Sequence, residues 1–135
     1  MTGLLLGVDP GKDKTGVALV RENGELVAQT VLPTKQFLAF LADFLKDREM
    51  PQRCILGNGT TSETMKKTLV SAYPSLPITV VDEAHSTEEA RTLYWQLYPP
   101  RGWKRLLPQG LRVPPGNLDG LAAVVLCRRY LARSQ

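Results

Sequence analysis

An apolar run over residues 4–8 ends in Asp9. A short turn bounded by Pro10-Gly11 and carrying Lys12, Asp13 and Lys14 follows, and a second apolar run occupies residues 15–20. Uninterrupted runs of this length read as strands buried on both faces, which forces the rest of the chain to cover two sides of a sheet. Asp9 stands where the first strand leaves the core. A carboxylate fixed there is a good first ligand for a divalent cation.

The remaining pattern extends this start. Residues 26–31 read as a third strand, joined to the second by Glu22-Asn23-Gly24, a hairpin signal. Pro33-Thr34 then opens a helix with Phe37, Phe40, Leu41, Phe44 and Leu45 at helical spacing on one face. Residues 53–57 and 77–81 read as short strands. Thr60 with Glu63, and Ser86 with Glu89, have capping-box spacing. They predict helices through about Ala72 and one with Ala90, Leu93, Tyr94 and Leu97 inward. Asn117 is the expected cap of a last helix through about Leu131, with Leu121, Val124, Val125 and Tyr130 packing. The order βββαβαβαα predicts an α/β fold of ribonuclease H type. Its mixed five-stranded sheet carries helices on both faces through right-handed crossovers.

A chain of 135 residues suits a single domain spanning residues 1–135. No apolar run approaches the roughly 20 residues of a membrane span, and the opening residues lack the apolar region and cleavage site of a signal peptide. Cys54 and Cys127 lie singly in apolar runs, so buried thiols in a reducing cytoplasm are expected. The net charge is +4. Residues 97–118 hold Arg101, Lys104, Arg105 and Arg112 with no acid, so the excess sits in one segment. A basic, proline-rich loop at 98–116 points to an anionic partner. Its cations would contact phosphates, and Trp103 could stack on an unpaired base. Lys12 and Lys14, beside Asp9, could hold a substrate backbone.

Phosphodiester hydrolysis needs an activated water and a stabilised leaving oxygen, and two divalent ions about 3.5–4 Å apart supply both. Mg²⁺ favours oxygen ligands and keeps several waters, so a few carboxylates suffice. Asp9 closes the first strand, Glu83 closes the fifth, and Asp119 lies in the first turn of the last helix. In the expected sheet these ends face one crevice. Each acid also has a plainer reading: a turn residue, a loop acid and a helix-dipole partner, respectively. Glu63 and Glu89 are better explained as caps. His85, the sole histidine, reads as structural or exposed, with phosphate contact as the alternative.

Three motifs together resemble the RuvC/YqgF group of ribonuclease H-fold nucleases. The opening one is Gly7-Val8-Asp9-Pro10-Gly11 through Thr15-Gly16-Val17-Ala18. The middle one is Val81-Asp82-Glu83 with Ser86-Thr87 and Ala90, and the closing one is Asp119-Gly120-Leu121-Ala122-Ala123. The resemblance covers nearly the whole chain. It implies a nuclease using Mg²⁺ or Mn²⁺, with Asp9, Glu83 and Asp119 as catalytic and metal-holding acids. It also implies a structured nucleic-acid substrate, RNA or branched DNA. The RuvC branch cuts four-way DNA junctions, for which two-fold symmetry favours a homodimer. The YqgF branch is linked to maturation of the 5′ end of 16S ribosomal RNA.

Three positions depart from the family patterns. Asn58 stands near the end of strand four, where RuvC carries an acid. Ala122 stands where RuvC carries a second closing acid, and Ala84 where YqgF commonly has Arg. The first two favour YqgF. The segment Gly57-Asn58-Gly59-Thr60 is closer to the YqgF-like domain of the transcription accessory protein Tex, so a non-catalytic nucleic-acid-binding module is the alternative. A sugar-kinase or actin-like ATPase shares the glycine-bounded hairpin but needs two such domains.

Overall fold

The computed structural model describes residues 3–98 and 118–133. Five strands form one sheet: β1 (Leu4–Asp9), β2 (Lys14–Arg21), β3 (Leu26–Pro33), β4 (Arg53–Gly57) and β5 (Ile78–Val81). Their spatial order is β3-β2-β1-β4-β5, with β1–β2 and β2–β3 antiparallel and β1–β4 and β4–β5 parallel. This is the mixed sheet expected from the element order. The apolar runs of β1 and β2 are buried because β1 is central and both faces are covered.

Alternation along β1 divides the core. Leu6 and Val8 face α1 (Phe37–Leu45) and α2 (Ser62–Ala72). Leu5 faces α3 (Ser86–Leu97) and α4 (Asp119–Arg133). The α4 helix is buried continuously from Gly120 to Cys127, so it is a core element rather than an amphipathic cover. It lies against Gly7, where a Cβ would meet the Ala123 carbonyl oxygen and Cys127 Sγ. Both cysteines are buried and free, and burial pushes the Cys54 thiol up to about 12, with Cys127 raised for the same reason. Among the described residues no helix is long and apolar enough to cross a membrane.

Several local expectations are corrected. A 3₁₀ turn (Thr34–Gln36) precedes α1, and Phe37, Leu41 and Leu45 point inward while Phe40 is exposed. The spacing marks a stripe without showing where its edge falls, and Phe40 lies beyond it. Neither expected capping box forms. Thr61, not Thr60, occupies the N-cap of α2 without a side-chain cap bond. His85 occupies the N-cap of α3, and Ser86 is already helical. The reason at α3 is a tight turn: the Ser86 N–H donates to the Glu83 carbonyl at 3.0 Å, which puts His85 in the left-handed region at φ 62°. In α3, Leu97 is exposed and Trp95 is buried instead. The strand ends differ by a residue or two from expectation, and α4 continues to Arg133. The loop at 99–116, with Arg101, Trp103, Lys104, Arg105 and Arg112, and the expected cap Asn117 lie outside the described residues.

Candidate active site

The carboxyl ends of β1, β4 and β5 are brought together by close backbone approaches. Asp9 pairs in register with Gly16 of β2. A Cβ on Gly16 would strike the Asp119 carbonyl oxygen, so only hydrogen at this position lets the start of α4 reach Asp9. Across the site, a Cβ on Gly57 or on Gly59 would strike a Glu83 carboxylate oxygen. Gly57 at the end of β4 and Gly59 just beyond it therefore form the floor on which Glu83 rests. Asn58 between them accepts a hydrogen bond from the Glu83 backbone N–H through Oδ1 at 3.1 Å.

The structure thus brings Asp9 and Glu83 together, with Asp119 close enough to act on Asp9 through its charge. The Asp9 carboxyl is raised from its ordinary 3.8 to about 7. Burial is the largest cause, followed by hydrogen bonding and repulsion from Glu83 and then repulsion from Asp119. Glu83 Oε2 is buried with no hydrogen-bond partner among the described residues. A raised Asp9 carboxyl beside a buried, unpartnered Glu83 oxygen is an all-oxygen donor set, and it fits a divalent cation. As the side chains stand, no three His, Cys, Asp or Glu of the described residues converge on one ion position. Asp9 and Glu83 are the close pair, and Asp119 sits at longer range.

Lys12, in the turn after Asp9, and Lys14, the first residue of β2, are exposed at the same end of the sheet. Thr34 fixes that turn: its hydroxyl donates to the Gly11 carbonyl at 2.9 Å, and its N–H donates to the Asp13 carbonyl at 2.9 Å. Thr15 Oγ1 lies 2.8 Å from Thr34 Oγ1 and is fully buried. His85 is exposed beside Glu88, with Nδ1 3.6 Å from Oε2. Sequence reasoning took Asn58 only as a missing acid and did not single out Arg129, which lies in the last turns of α4 and reaches the Asp82–Glu83 segment.

The raised Asp9 sets an expected pH dependence. The folded protein holds this proton up to about pH 7, whereas the unfolded chain releases it near pH 4. In chelator, the stabilisation from protonated Asp9 is therefore full below about pH 4. It is lost progressively as pH rises to about 7 and is flat above. Melting curves between pH 4 and 8 should show this loss in the native protein and not in Asp9→Asn. Parallel curves would mean that Asp9 titrates normally.

No protein-family model matches the chain. A curated protein of Porphyromonas gingivalis (strain ATCC BAA-308 / W83) named "Putative pre-16S rRNA nuclease" is 30% identical over 146 aligned residues. The alignment covers 96% of each protein. Among solved structures, Thermus thermophilus RuvC in complex with Holliday junction substrate matches with a TM-score of 0.60 at 16% identity. That match covers 98% of this chain and 96% of RuvC. A second Thermus thermophilus RuvC structure gives a TM-score of 0.53 at 16% identity, covering 97% and 96%. A ROK family transcriptional regulator, a homologue of the E. coli MLC protein, gives 0.51 at 12% identity, but the chain spans only 31% of it. The RuvC matches extend over the full sheet and α4, and at these identities they show the fold.

Proposed function

The chain belongs to the YqgF family of pre-16S rRNA nucleases, and from that premise we propose that it is a divalent-metal-dependent endonuclease using Asp9, Glu83 and Asp119. The observation that carries this reading is the close, half-buried pair of Asp9 and Glu83, whose like charges repel, with Asp119 adding to that repulsion. Once ionised, such a group of acids gives a protein no stability of its own. Holding cations at a reaction centre accounts for it.

Divalent ions bound here would activate water and stabilise the leaving oxygen of a phosphodiester. Asp9, at the end of the central strand and beside Glu83, would be the principal residue holding them. Glu83 offers its unpaired buried oxygen from the β5 side. Asp119 completes the set from α4, directly or through retained water. Lys12 and Lys14 neutralise the phosphates flanking the scissile bond and hold them near the acids. The rigid turn that carries them makes this hold inexpensive in entropy. Oxygen-only donors favour Mg²⁺ or Mn²⁺ over softer ions.

For the substrate we favour structured RNA, in particular the precursor of 16S ribosomal RNA. The name and full-length match of the Porphyromonas gingivalis relative support this choice. Asn58 and Ala122, in place of the acids expected of a junction-cutting relative, point the same way. The basic residues Arg101, Lys104, Arg105 and Arg112, with Trp103, complete the proposed nucleic-acid surface. A precursor RNA end has no two-fold symmetry, so this reading does not require the homodimer that a four-way junction favours.

The test is cleavage of labelled precursor 16S RNA and of a four-way DNA junction, with Mg²⁺, Mn²⁺ or chelator. The expected result is metal-dependent cutting of the RNA. Preferential cutting of the junction would move the substrate assignment to branched DNA. Salt-sensitive RNA binding without cleavage under any metal would overturn the catalytic reading and leave a Tex-like binding module.

A further inference from the structure

We infer that Arg129 is a positioning residue that fixes Glu83 in the site by clamping the peptide unit before it, an inference that rests on the catalytic reading of Glu83. The peptide joining Asp82 to Glu83 is held at both ends. Arg129 Nη1 donates to the Asp82 carbonyl oxygen at 2.7 Å. The Glu83 N–H of the same peptide donates to Asn58 Oδ1 at 3.1 Å. A trans peptide is planar, with its C=O and N–H pointing in opposite directions. Anchoring both groups to different elements therefore stops the plane from turning. The direction of the Glu83 side chain follows from that plane.

The guanidinium is itself aimed. Arg129 Nη2 donates to Glu89 Oε1 at 2.7 Å, so α3 and α4 share the clamp. The Arg129 side chain is 23% exposed and that of Glu89 53% exposed. An ion pair so open to solvent adds little stability. What it supplies is orientation, because the planar fork of arginine places one nitrogen on each partner. The turn beyond is closed by the Asp82 carboxylate, which accepts from the Ala84 N–H at 3.0 Å, and by the Ser86 N–H on the Glu83 carbonyl. Every backbone polar group of Glu83 is thus committed, while its carboxylate oxygen Oε2 is not. The arrangement spends the local hydrogen bonds on the backbone and leaves the side chain available to a cation. Helix α4 serves the site twice, through Asp119 at its start and through Arg129 ten residues further on.

The experiment compares native protein with Arg129→Met and Arg129→Lys, using two readouts. In metal-free protein, amide hydrogen exchange at Glu83 is followed by NMR. In the second, Mn²⁺ affinity and cleavage kinetics are measured well below the melting temperature. Arg129→Met should speed Glu83 exchange roughly fivefold, the equivalent of one net hydrogen bond. It should also weaken Mn²⁺ binding by about 10–100-fold, the usual cost of losing a partner behind a metal ligand. The kcat should fall with KM for RNA unchanged, since Arg129 touches no substrate. Arg129→Lys keeps the charge on a single donor nitrogen but loses the fork, and should be intermediate, which separates positioning from general destabilisation. Unchanged exchange and unchanged Mn²⁺ affinity in a folded Arg129→Met protein would overturn the clamp. If native protein binds no Mn²⁺ through Asp9, the catalytic reading fails on its own evidence. Hydrogen exchange then still decides whether Arg129 holds the peptide.

Discussion

Asp9→Asn is expected to abolish cleavage while leaving RNA binding within about twofold of native, a margin worth less than 1 kcal/mol. The loss should exceed a hundredfold, because even partners behind a ligand commonly cost about 10–100-fold. Asn keeps the shape and one oxygen of Asp9 but not the charge that would hold a cation. It also removes a buried group that Glu83 and Asp119 both repel. The variant should therefore be more stable than native protein at pH 8 in chelator, so loss of activity cannot be assigned to unfolding. This opposite movement of activity and stability is the mark of a charge placed for function. Adding Mn²⁺ should raise the melting temperature of native protein and leave the variant nearly unmoved. Native-like turnover in Asp9→Asn would remove Asp9 from the mechanism. A variant less stable than native in chelator would mean that Asp9 is a structural acid with partners of its own.

The fold was legible where burial is continuous. The apolar runs of β1 and β2 and the short Pro10-Gly11 turn between them leave one arrangement, an antiparallel pair at the centre of a sheet covered on both sides. Local signals did less well wherever a tertiary contact competes. Ser86 and Glu89 have capping-box spacing, yet the turn that follows Glu83 places His85 at the cap. Phe40 and Leu97 fit an apolar stripe by spacing, but both lie beyond the area the sheet can cover. The candidate acids Asp9, Glu83 and Asp119 stood out because they lie at element ends, a property read along the chain. Their mutual distances, and the contacts that set them, are not a property of the chain in one dimension. Gly16 matters because α4 returns to it more than a hundred residues later, and Gly57 and Gly59 matter because β5 runs beside β4. Asn58 looked like a lost acid, and it holds the Glu83 backbone instead.

Two glycine substitutions separate building the site from arming it. Gly16→Ala puts a methyl group against the Asp119 carbonyl, with the Gly120 backbone nitrogen 2.9 Å away. Those are main-chain atoms of a buried helix and cannot step aside, so α4 must lift from β2. Overpacking of this kind costs about 1–3 kcal/mol or more, which should lower the melting temperature by roughly 10 °C. Activity should fall with it, because the lifted helix takes Asp119 away from Asp9. Gly59→Ala is different. The three atoms nearest its methyl group would all belong to the Glu83 carboxyl end, which can rotate away. The melting temperature should hold to within a few degrees, equivalent to under about 1 kcal/mol, while cleavage and Mn²⁺ affinity drop with the displaced carboxylate. Thermal melts and Mn²⁺ titrations on both variants distinguish the cases. Full activity in Gly59→Ala would mean that the seat for Glu83 is not needed and that Glu83 reaches its ion from elsewhere. A stable Gly16→Ala with low activity would place the whole effect on Asp119, since a helix shift small enough to spare the core would still have moved the acid at its tip.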